Sequence, residues 1–243
     1  MSPPARPSLR DALASPAGKR LYARRLFSTI ADRYDLITVL LSFGQDRHWK
    51  RRVAELSRAT SGTRALDVAC GTGDLAFALE ARGAAVIGLD LTHRMLQLAR
   101  ARALRTAAHP HFIVGDMMAL PFGSEEFDLV TAGYGLRNVP ELAPAIDELQ
   151  RVLKPGGMLL SLDFNRPANR VVRAVYLGYL TVVGSALGFL LHRDPDTYRY
   201  IPESIRRYPG AAAVNALIRT QGFSSSECLP VLGGLMAIHV AVK

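Results

Sequence analysis

The stretch RALDVACGTGDL, residues 64–75, decides the fold of this chain. An apolar run ends there in a turn built from Gly71, Thr72 and Gly73, and a helical pattern begins at Leu75. The two glycines let the backbone turn sharply and leave no side chain between the loop and a ligand. The amino end of the following helix directs its partial positive charge into the same space. The stretch therefore predicts a strand, a ligand-facing loop and a helix.

A second apolar run ends in a carboxylate at Asp90. A carboxylate at the tip of the second strand can accept both hydroxyl protons of a ribose, and this spacing from the glycines favours that role over a plain helix N-terminal charge. The glycine turn, written Gly71-x-Gly73-x-x-Ala76, also fits a dinucleotide fingerprint. At this point the pattern predicts a nucleoside site and leaves an NAD-binding oxidoreductase open.

The rest of the chain repeats the alternation. Residues 63–165 alternate short apolar runs with helical segments, a pattern typical of a parallel sheet covered by helices on both faces. Ser224–Leu232 and Leu235–Val242 read as two final strands. We expect residues 1–20, which contain four prolines, to form a loose tail and residues 21–60 to form helices.

Five short blocks of the sequence distinguish an NAD site from the site of another nucleoside cofactor. They are LDVACGTGD, GLD, GDMMALPF, FDLVTAGYGLRN and RVLKPGG, and their order and spacing resemble those of class I S-adenosylmethionine-dependent methyltransferases. An NAD fingerprint predicts none of the last three blocks. The segments FSTIADRYDLITVLLSFGQDRHWKR (residues 27–51), GYGLRNV, DPDTYRYIPESIRRYP (residues 194–209) and LGGLMAIHVAVK are similar to the C-methyltransferases of ubiquinone and menaquinone biosynthesis.

This resemblance implies one α/β domain over residues 1–243, with a Rossmann-like, mostly parallel sheet of seven strands and helices on both faces. Within it we expect a basic helical N-terminal cap at residues 1–60 and a cofactor-binding core at residues 61–165. A helical lid insertion is expected at residues 170–205, and the C-terminal strands at residues 206–243.

The resemblance also implies a cofactor, S-adenosylmethionine, and its site. Asp116 is expected at the adenine amino group with the backbone of Met117 alongside, although Asp116 could instead cap a turn. Gly133 stands near the methionine moiety where relatives often carry serine, so a side-chain contact there does not carry over. The predicted cofactor-binding residues are Gly71, Thr72, Gly73, Asp90, Asp116, Met117 and Gly133.

Arg137 and Asn138 follow the fourth apolar run, at the sheet edge where an open α/β sheet places its ligand crevice. Carbon is a poor nucleophile unless an adjacent phenol loses its proton, so a C-methyltransferase needs help at that phenol. Arginine is too basic to accept the proton, and we expect it to stabilise the phenolate or to orient a water. The family resemblance implies that both residues are catalytic. The alternative is a structural Arg137 that pairs with a carboxylate such as Asp163.

The predicted reaction is C-methylation of a polyprenylated quinol, either demethylmenaquinol or the 2-polyprenyl-6-methoxy-1,4-benzoquinol of the ubiquinone pathway. The alternatives are another small-molecule or lipid methyltransferase, a non-catalytic binding subunit, and an NAD-binding oxidoreductase. The histidines show no metal-ligand spacing, and no metal is expected. Cys70 and Cys228 provide no disulfide framework, which favours a reducing cytoplasm.

The charge is unevenly distributed. The formal net charge is +9, and residues 1–60 hold 12 of the 30 basic residues but only 5 of the 21 acidic ones. This segment favours peripheral contact with an anionic inner-membrane surface, or forms a solvated helical face. A nucleic-acid substrate is not expected, because the turn at residues 134–138 lacks the Asn/Asp-Pro-Pro-aromatic sequence of amino-methylating enzymes. A homodimer is left open.

Residues 174–191 form a run of 18 residues without charge, at the lower limit for a membrane span. The run lies between the fifth predicted strand and the last two, so insertion into a bilayer would separate the domain from its own strands. Its small residues Gly178, Thr181, Ser185 and Gly188 predict close packing against another helix. We therefore expect a lid or core helix.

Overall fold

Seven strands form one sheet in the computed structural model, which describes Leu9 and residues 13–243. The strand order is β3-β2-β1-β4-β5-β7-β6, and only β7 runs antiparallel to its neighbours β5 and β6. The strands are β1 Arg64–Val68, β2 Ala85–Asp90, β3 His111–Val114, β4 Phe127–Gly133, β5 Leu153–Phe164, β6 Ser225–Val231 and β7 Met236–Val242. The predicted mostly parallel sheet is confirmed.

The two central strands explain the apolar runs of the sequence. Leu66 of β1 lies opposite Val130 of β4, and neither side chain is exposed. A parallel strand covered by helices on both faces needs apolar residues at successive positions, and a half-solvated strand would alternate them with polar ones. Because the two strands are parallel neighbours, their carboxyl ends lie at the same edge of the sheet and the loops that follow them lie side by side.

Helices cover both faces of the sheet. They are α1 Pro16–Ile30, α2 Tyr34–Leu41, α3 Asp46–Leu56, α4 Asp74–Glu80, α5 His93–Thr106, α6 Leu142–Val152, α7 Arg170–His192, α8 Tyr200–Arg207 and α9 Ala211–Thr220. Helix α9, which the sequence analysis did not predict, precedes β6 and packs against the last two strands. Residues 206–243 therefore hold a helix as well as the two predicted strands.

Helix α1 begins earlier than the sequence analysis expected. It starts at Pro16, and the hydroxyl of Ser15 accepts a hydrogen bond from the Gly18 amide at 3.1 Å. Serine before proline is a helix-start signal, because the hydroxyl satisfies a free amide and proline has none to satisfy. The expectation of a loose tail is wrong for residues 16–20. Residues 1–8 and 10–12 lie outside the described residues.

The small-residue stripe of α7 packs differently from the prediction. A Cβ on Gly188 would lie 2.5 Å from the Asp194 carbonyl oxygen, and one on Gly184 would lie 3.3 Å from Tyr198. Gly178, by contrast, faces open space. The close approach is therefore made at Gly184 and Gly188, against the chain that returns from α7 to α8. Among the described residues, α7 alone is long and apolar enough to cross a membrane.

Candidate active site

The carboxyl ends of β1, β2 and β4 enclose an open cavity of about 720 Å³, and α1 covers it from outside. Loops at this edge carry most of the predicted cofactor residues. The side chains and backbone that line the cavity include Gly71, Asp90, Asp116, Met117, Gly133 and Asn138 from the sheet edge, and Arg20, Ala23, Arg24 and Phe27 from α1. The structure thus gathers six of the nine predicted site residues around one space.

The glycine loop has the geometry that its sequence predicts. Gly71 and Gly73 take left-handed φ values of 56° and 89°, which side chains with a Cβ rarely adopt. A Cβ on Gly73 would also lie 2.9 Å from Phe77. The Thr72 hydroxyl donates a hydrogen bond to the Asp35 carboxylate of α2 at 2.7 Å, so an N-terminal helix holds the loop from the other side. The loop leaves its backbone next to the cavity.

Asp90 lies at the end of β2 and is only 8% exposed. One carboxylate oxygen accepts the Gly71 amide at 2.9 Å and the other accepts the Thr92 amide at 2.7 Å. Burial raises the pKa of Asp90, and the two amide hydrogen bonds oppose that rise. Each oxygen keeps a lone pair, so the carboxylate fits two ribose hydroxyls in the cavity it lines.

Asp116 and Met117 line the far end of the same cavity. Asp116 accepts the Met118 amide at 3.0 Å, which is the turn-capping role that the sequence analysis kept as an alternative. Its other oxygen forms a 2.6 Å ion pair with Arg20 of α1. Arg20 could not be found from the sequence, since no local pattern connects it to a loop so distant along the chain.

A second recess of about 310 Å³ adjoins the first at Gly133. Lys50 lies in its wall, where its ammonium contacts Asp46 and Asp74 at 2.8 Å each. Burial alone would lower the pKa of Lys50, but these carboxylates raise it above its ordinary value. Burial raises the pKa of Asp67, also in the wall, to about 7. Buried groups of both signs fit the amino-acid end of S-adenosylmethionine, a zwitterion.

Arg137 is buried behind the cavity wall and forms an ion pair with Asp163. Its side-chain Nε donates to Asp163 at 3.1 Å, and its backbone amide donates to the second carboxylate oxygen at 3.0 Å. Its Nη1 donates to the Ser204 hydroxyl. Burial alone would lower the pKa of Arg137, but the Asp163 carboxylate raises it above its ordinary value. Arg137 therefore remains a cation and makes the ion pair that the structural alternative anticipated.

Asn138 connects this ion pair with the cavity. It lines the cavity, and its amide nitrogen donates to the Tyr134 carbonyl at 2.7 Å. Its side-chain oxygen accepts from Arg137 at 3.3 Å and from the Tyr200 hydroxyl at 3.1 Å. Of the two residues predicted to be catalytic, Asn138 forms the wall and Arg137 lies directly behind it.

Side chains from three further helices surround this centre. Tyr22 of α1 stacks on Tyr200 of α8 with ring centroids 5.5 Å apart. Tyr176 of α7 is buried, and its hydroxyl has no hydrogen-bond partner among the residues that the structure describes. Burial, and then the charge of Arg137, lower the pKa of the half-buried Lys19 to about 8. These residues could not be found from the sequence, because their roles depend on how distant helices pack. We name the Arg137–Asp163 pair with Asn138 and these neighbours the arginine centre.

The comparisons with known proteins agree with this geometry. Residues 17–243 match the ubiE/COQ5 methyltransferase family. The chain belongs to that family. Its relatives include a demethylmenaquinone methyltransferase of Thermus thermophilus, 42% identical over 88% of this chain and 98% of the relative. Another is a ubiquinone/menaquinone biosynthesis C-methyltransferase UbiE of Azotobacter vinelandii, 37% identical over 90% of this chain and 88% of the relative.

Solved structures support the fold of this ubiE/COQ5 family member. A S-adenosylmethionine-dependent methyltransferase from Thermotoga maritima aligns with a TM-score of 0.65 at 18% identity, covering 91% of this chain and 99% of that one. Because it belongs to the ubiE/COQ5 methyltransferase family, the chain is an S-adenosylmethionine-dependent methyltransferase, as the sequence predicted, and the NAD-binding alternative is wrong. Among the described residues, no group of three or more His, Cys, Asp and Glu side chains could hold a metal ion.

Proposed function

We propose that this methyltransferase adds a methyl group to a ring carbon of a polyprenylated quinol. The relatives named above act on demethylmenaquinone or in ubiquinone and menaquinone biosynthesis. The observation that carries the proposal is the arginine centre: a buried cation, reached from the cofactor cavity through Asn138 and covered by an apolar helix.

The reaction requires a carbon nucleophile. S-adenosylmethionine supplies a methyl group already activated on a sulfonium. A ring carbon attacks that methyl with an electron pair from the adjacent phenolate. In this transfer the new C–C bond would form as the C–S bond breaks, S-adenosylhomocysteine would leave with the electron pair on sulfur, and the ring proton would pass to water, which restores aromaticity. The enzyme must therefore favour the phenolate, align it and exclude water.

Arg137 is suited to stabilise the phenolate. Its charge is permanent, because the Asp163 carboxylate raises a pKa that is already high. A buried charge acts on a developing oxyanion through less screening than an exposed one. We assign to Arg137 the stabilisation of the phenolate and to Asn138 its positioning at the cavity wall. We assign the cofactor contacts to the five predicted residues that line the cavity and to Thr72 in the adjoining recess, whereas Gly73 shapes the turn.

The location of the substrate extends the proposal. A polyprenyl tail resides in a bilayer, so we propose a cytoplasmic enzyme in peripheral contact with the inner membrane. The excess of basic residues in residues 1–60 favours an anionic surface.

The test is methyl transfer from labelled S-adenosylmethionine to short-chain quinols. The purified protein receives the demethylated naphthoquinol or the methoxybenzoquinol, each reduced in the assay. We expect label in the ring of at least one product and S-adenosylhomocysteine in equal amount. Label on oxygen, or no transfer to either quinol with the cofactor bound, would contradict the proposal. The ratio of the two rates identifies the preferred ring.

A further inference from the structure

Helix α7 presents two different faces. Its inner face packs into the core through Tyr176, Leu177 and Leu180, each at most 7% exposed. Burial raises the pKa of the Tyr176 hydroxyl and the charge of Arg137 opposes that rise, so the inner face bounds the arginine centre. One side of α7 is therefore fixed to the protein and cannot be surrounded by lipid.

The outer face of α7 is apolar over its whole length. It consists of large side chains that are 63–74% exposed: Val171, Val175, Val182, Phe189 and Leu190. Their spacing places them along one side of the helix, over roughly 28 Å at 1.5 Å per residue. From residue 174 to residue 191 the helix carries no charged side chain. Isolated exposed apolar residues are ordinary, but a continuous stripe of this length indicates a contact surface.

The apolar surface continues onto α2. Phe43, which follows α2, stacks on Tyr179 of α7 with ring centroids 4.9 Å apart. Phe43 is itself 49% exposed, and Leu36 and Leu40 of α2 are 50% and 42% exposed. Two helices therefore contribute to one exposed apolar surface.

We propose that the outer face of α7 lies in the interfacial layer of a lipid bilayer, with the helix axis parallel to the membrane. Charge supports this occupant. Arg170 and Arg173 lie at the amino end of α7, and the helix itself holds no acidic residue; at the other end Arg193 is followed by Asp194 and Asp196. An apolar face with a cationic end matches the acyl boundary and the headgroup phosphates of a membrane surface. Because the inner face packs on protein, the helix lies on the membrane and does not cross it.

Membrane docking through α7 would bring the enzyme to its substrate, and this advantage rests on the proposed function. A quinol tail held in the bilayer would meet α7 on its outer side and the arginine centre on its inner side. The docking itself requires no quinol, so it can be measured without substrate.

The first experiment is flotation with phosphatidylcholine vesicles at about 1 M salt, where the Debye length is roughly 3 Å and charge attraction is screened. The triple variant Val175→Gln, Val182→Gln, Phe189→Gln removes apolar area from the outer face. The matched control is Leu104→Gln on α5, where the leucine is 87% exposed. We expect wild type and the Leu104→Gln control to float with the vesicles. The affinity of the triple variant for the vesicles should be at least about tenfold lower.

A second measurement covers the case of a misfolded triple variant. Because the chain has its own tryptophan, Trp49, both variants carry Trp49→Phe. In that background Phe189→Trp should be quenched by vesicles of brominated lipid, whereas Leu104→Trp should not. Equal quenching of the two tryptophans, or wild-type flotation by a folded triple variant, would overturn the proposal. A dimer that forms without vesicles and dissociates in the triple variant would assign the face to a second copy and overturn it too. Vesicle binding without methyl transfer to any quinol would refute the proposed function alone.

Discussion

The cofactor edge and the arginine centre are adjacent, but they hold their charges in different ways. At the cofactor edge, Asp90 is held by two backbone amides, and Asp116 is held by one amide and an exposed ion pair with Arg20. In the arginine centre, Arg137 is held by side chains from other elements, among them Asp163 and Ser204, 26 and 67 residues away in sequence.

This difference has an energetic consequence. A carboxylate held by amides and open to a cavity remains partly hydrated, and its removal costs mainly binding. A buried ion pair is different, because removal of one partner leaves the other charged and without water. We therefore expect substitutions at the cofactor edge to weaken ligand affinity, and substitutions in the arginine centre to affect folding and turnover together.

The largest effect is expected for Arg137→Ala. It should reduce turnover with a quinol by about 10²-fold or more, while the affinity for S-adenosylhomocysteine changes little. The free energy of unfolding should fall by about 3–5 kcal/mol, because Asp163 stays buried without its partner. Quinol turnover, calorimetric binding and chemical denaturation measure the three quantities.

The double variant Arg137→Ala, Asp163→Ala separates catalysis from folding. Removal of both charges should restore much of the stability but none of the turnover. If turnover recovers together with stability, Arg137 is structural and the catalytic assignment is wrong.

Asp90→Ala should have the next largest effect. The affinity for S-adenosylhomocysteine should fall by about 1–3 kcal/mol, because two ribose hydroxyls lose a charged acceptor. Isothermal calorimetry measures this directly, and Asp128→Ala, a carboxylate away from the cavity, is the control. Unchanged binding in a folded Asp90→Ala variant would show that Asp90 is not the ribose ligand.

A pH effect should distinguish the region around Asp163. Burial lowers the pKa of His239. The hydrogen bond of its Nε2 with the Ala211 carbonyl at 3.0 Å and the charge of Asp163 oppose that decrease. The unfolded imidazole, with a pKa of about 6.5, takes up a proton that the folded one resists. Stability is therefore fully present above about pH 6.5 and is lost as the pH falls toward the lower folded pKa.

His239→Asn removes this titration. Denaturation midpoints between about pH 7 and 5 should then decline less steeply for the variant than for wild type. Parallel declines would mean that His239 does not contribute to the loss.

The smallest effect on the free energy of unfolding is expected for Arg20→Ala. This is the same substitution as at Arg137, but it removes one partner of an exposed ion pair. Arg20 is 55% exposed where it contacts Asp116. Such pairs contribute about 0–1 kcal/mol, so unfolding should be almost unchanged. A loss as large as that of Arg137→Ala would remove the distinction between the two regions.

The sequence by itself determined the cofactor edge. Apolar runs that end in a glycine turn or a carboxylate specify where strands stop, and parallel strands bring those ends together. That pattern placed Gly71 and Asp90 at one site, the family resemblance added Asp116 and Gly133, and all four line one cavity in the structure. The start of α1 was predicted wrongly as a loose tail, although Ser15 and Pro16 form a local helix-start signal.

Only the tertiary structure decided the arginine centre and its cover. The partner of Arg137, the contact of Arg20 and the recess around Lys50 depend on elements far apart in sequence. The pattern of α7 showed an apolar helix but not which side would be buried, because nearly every side of it is apolar. The physical reason is that strand ends are specified by local backbone geometry, whereas a buried charge and its partner are brought together only when distant helices pack.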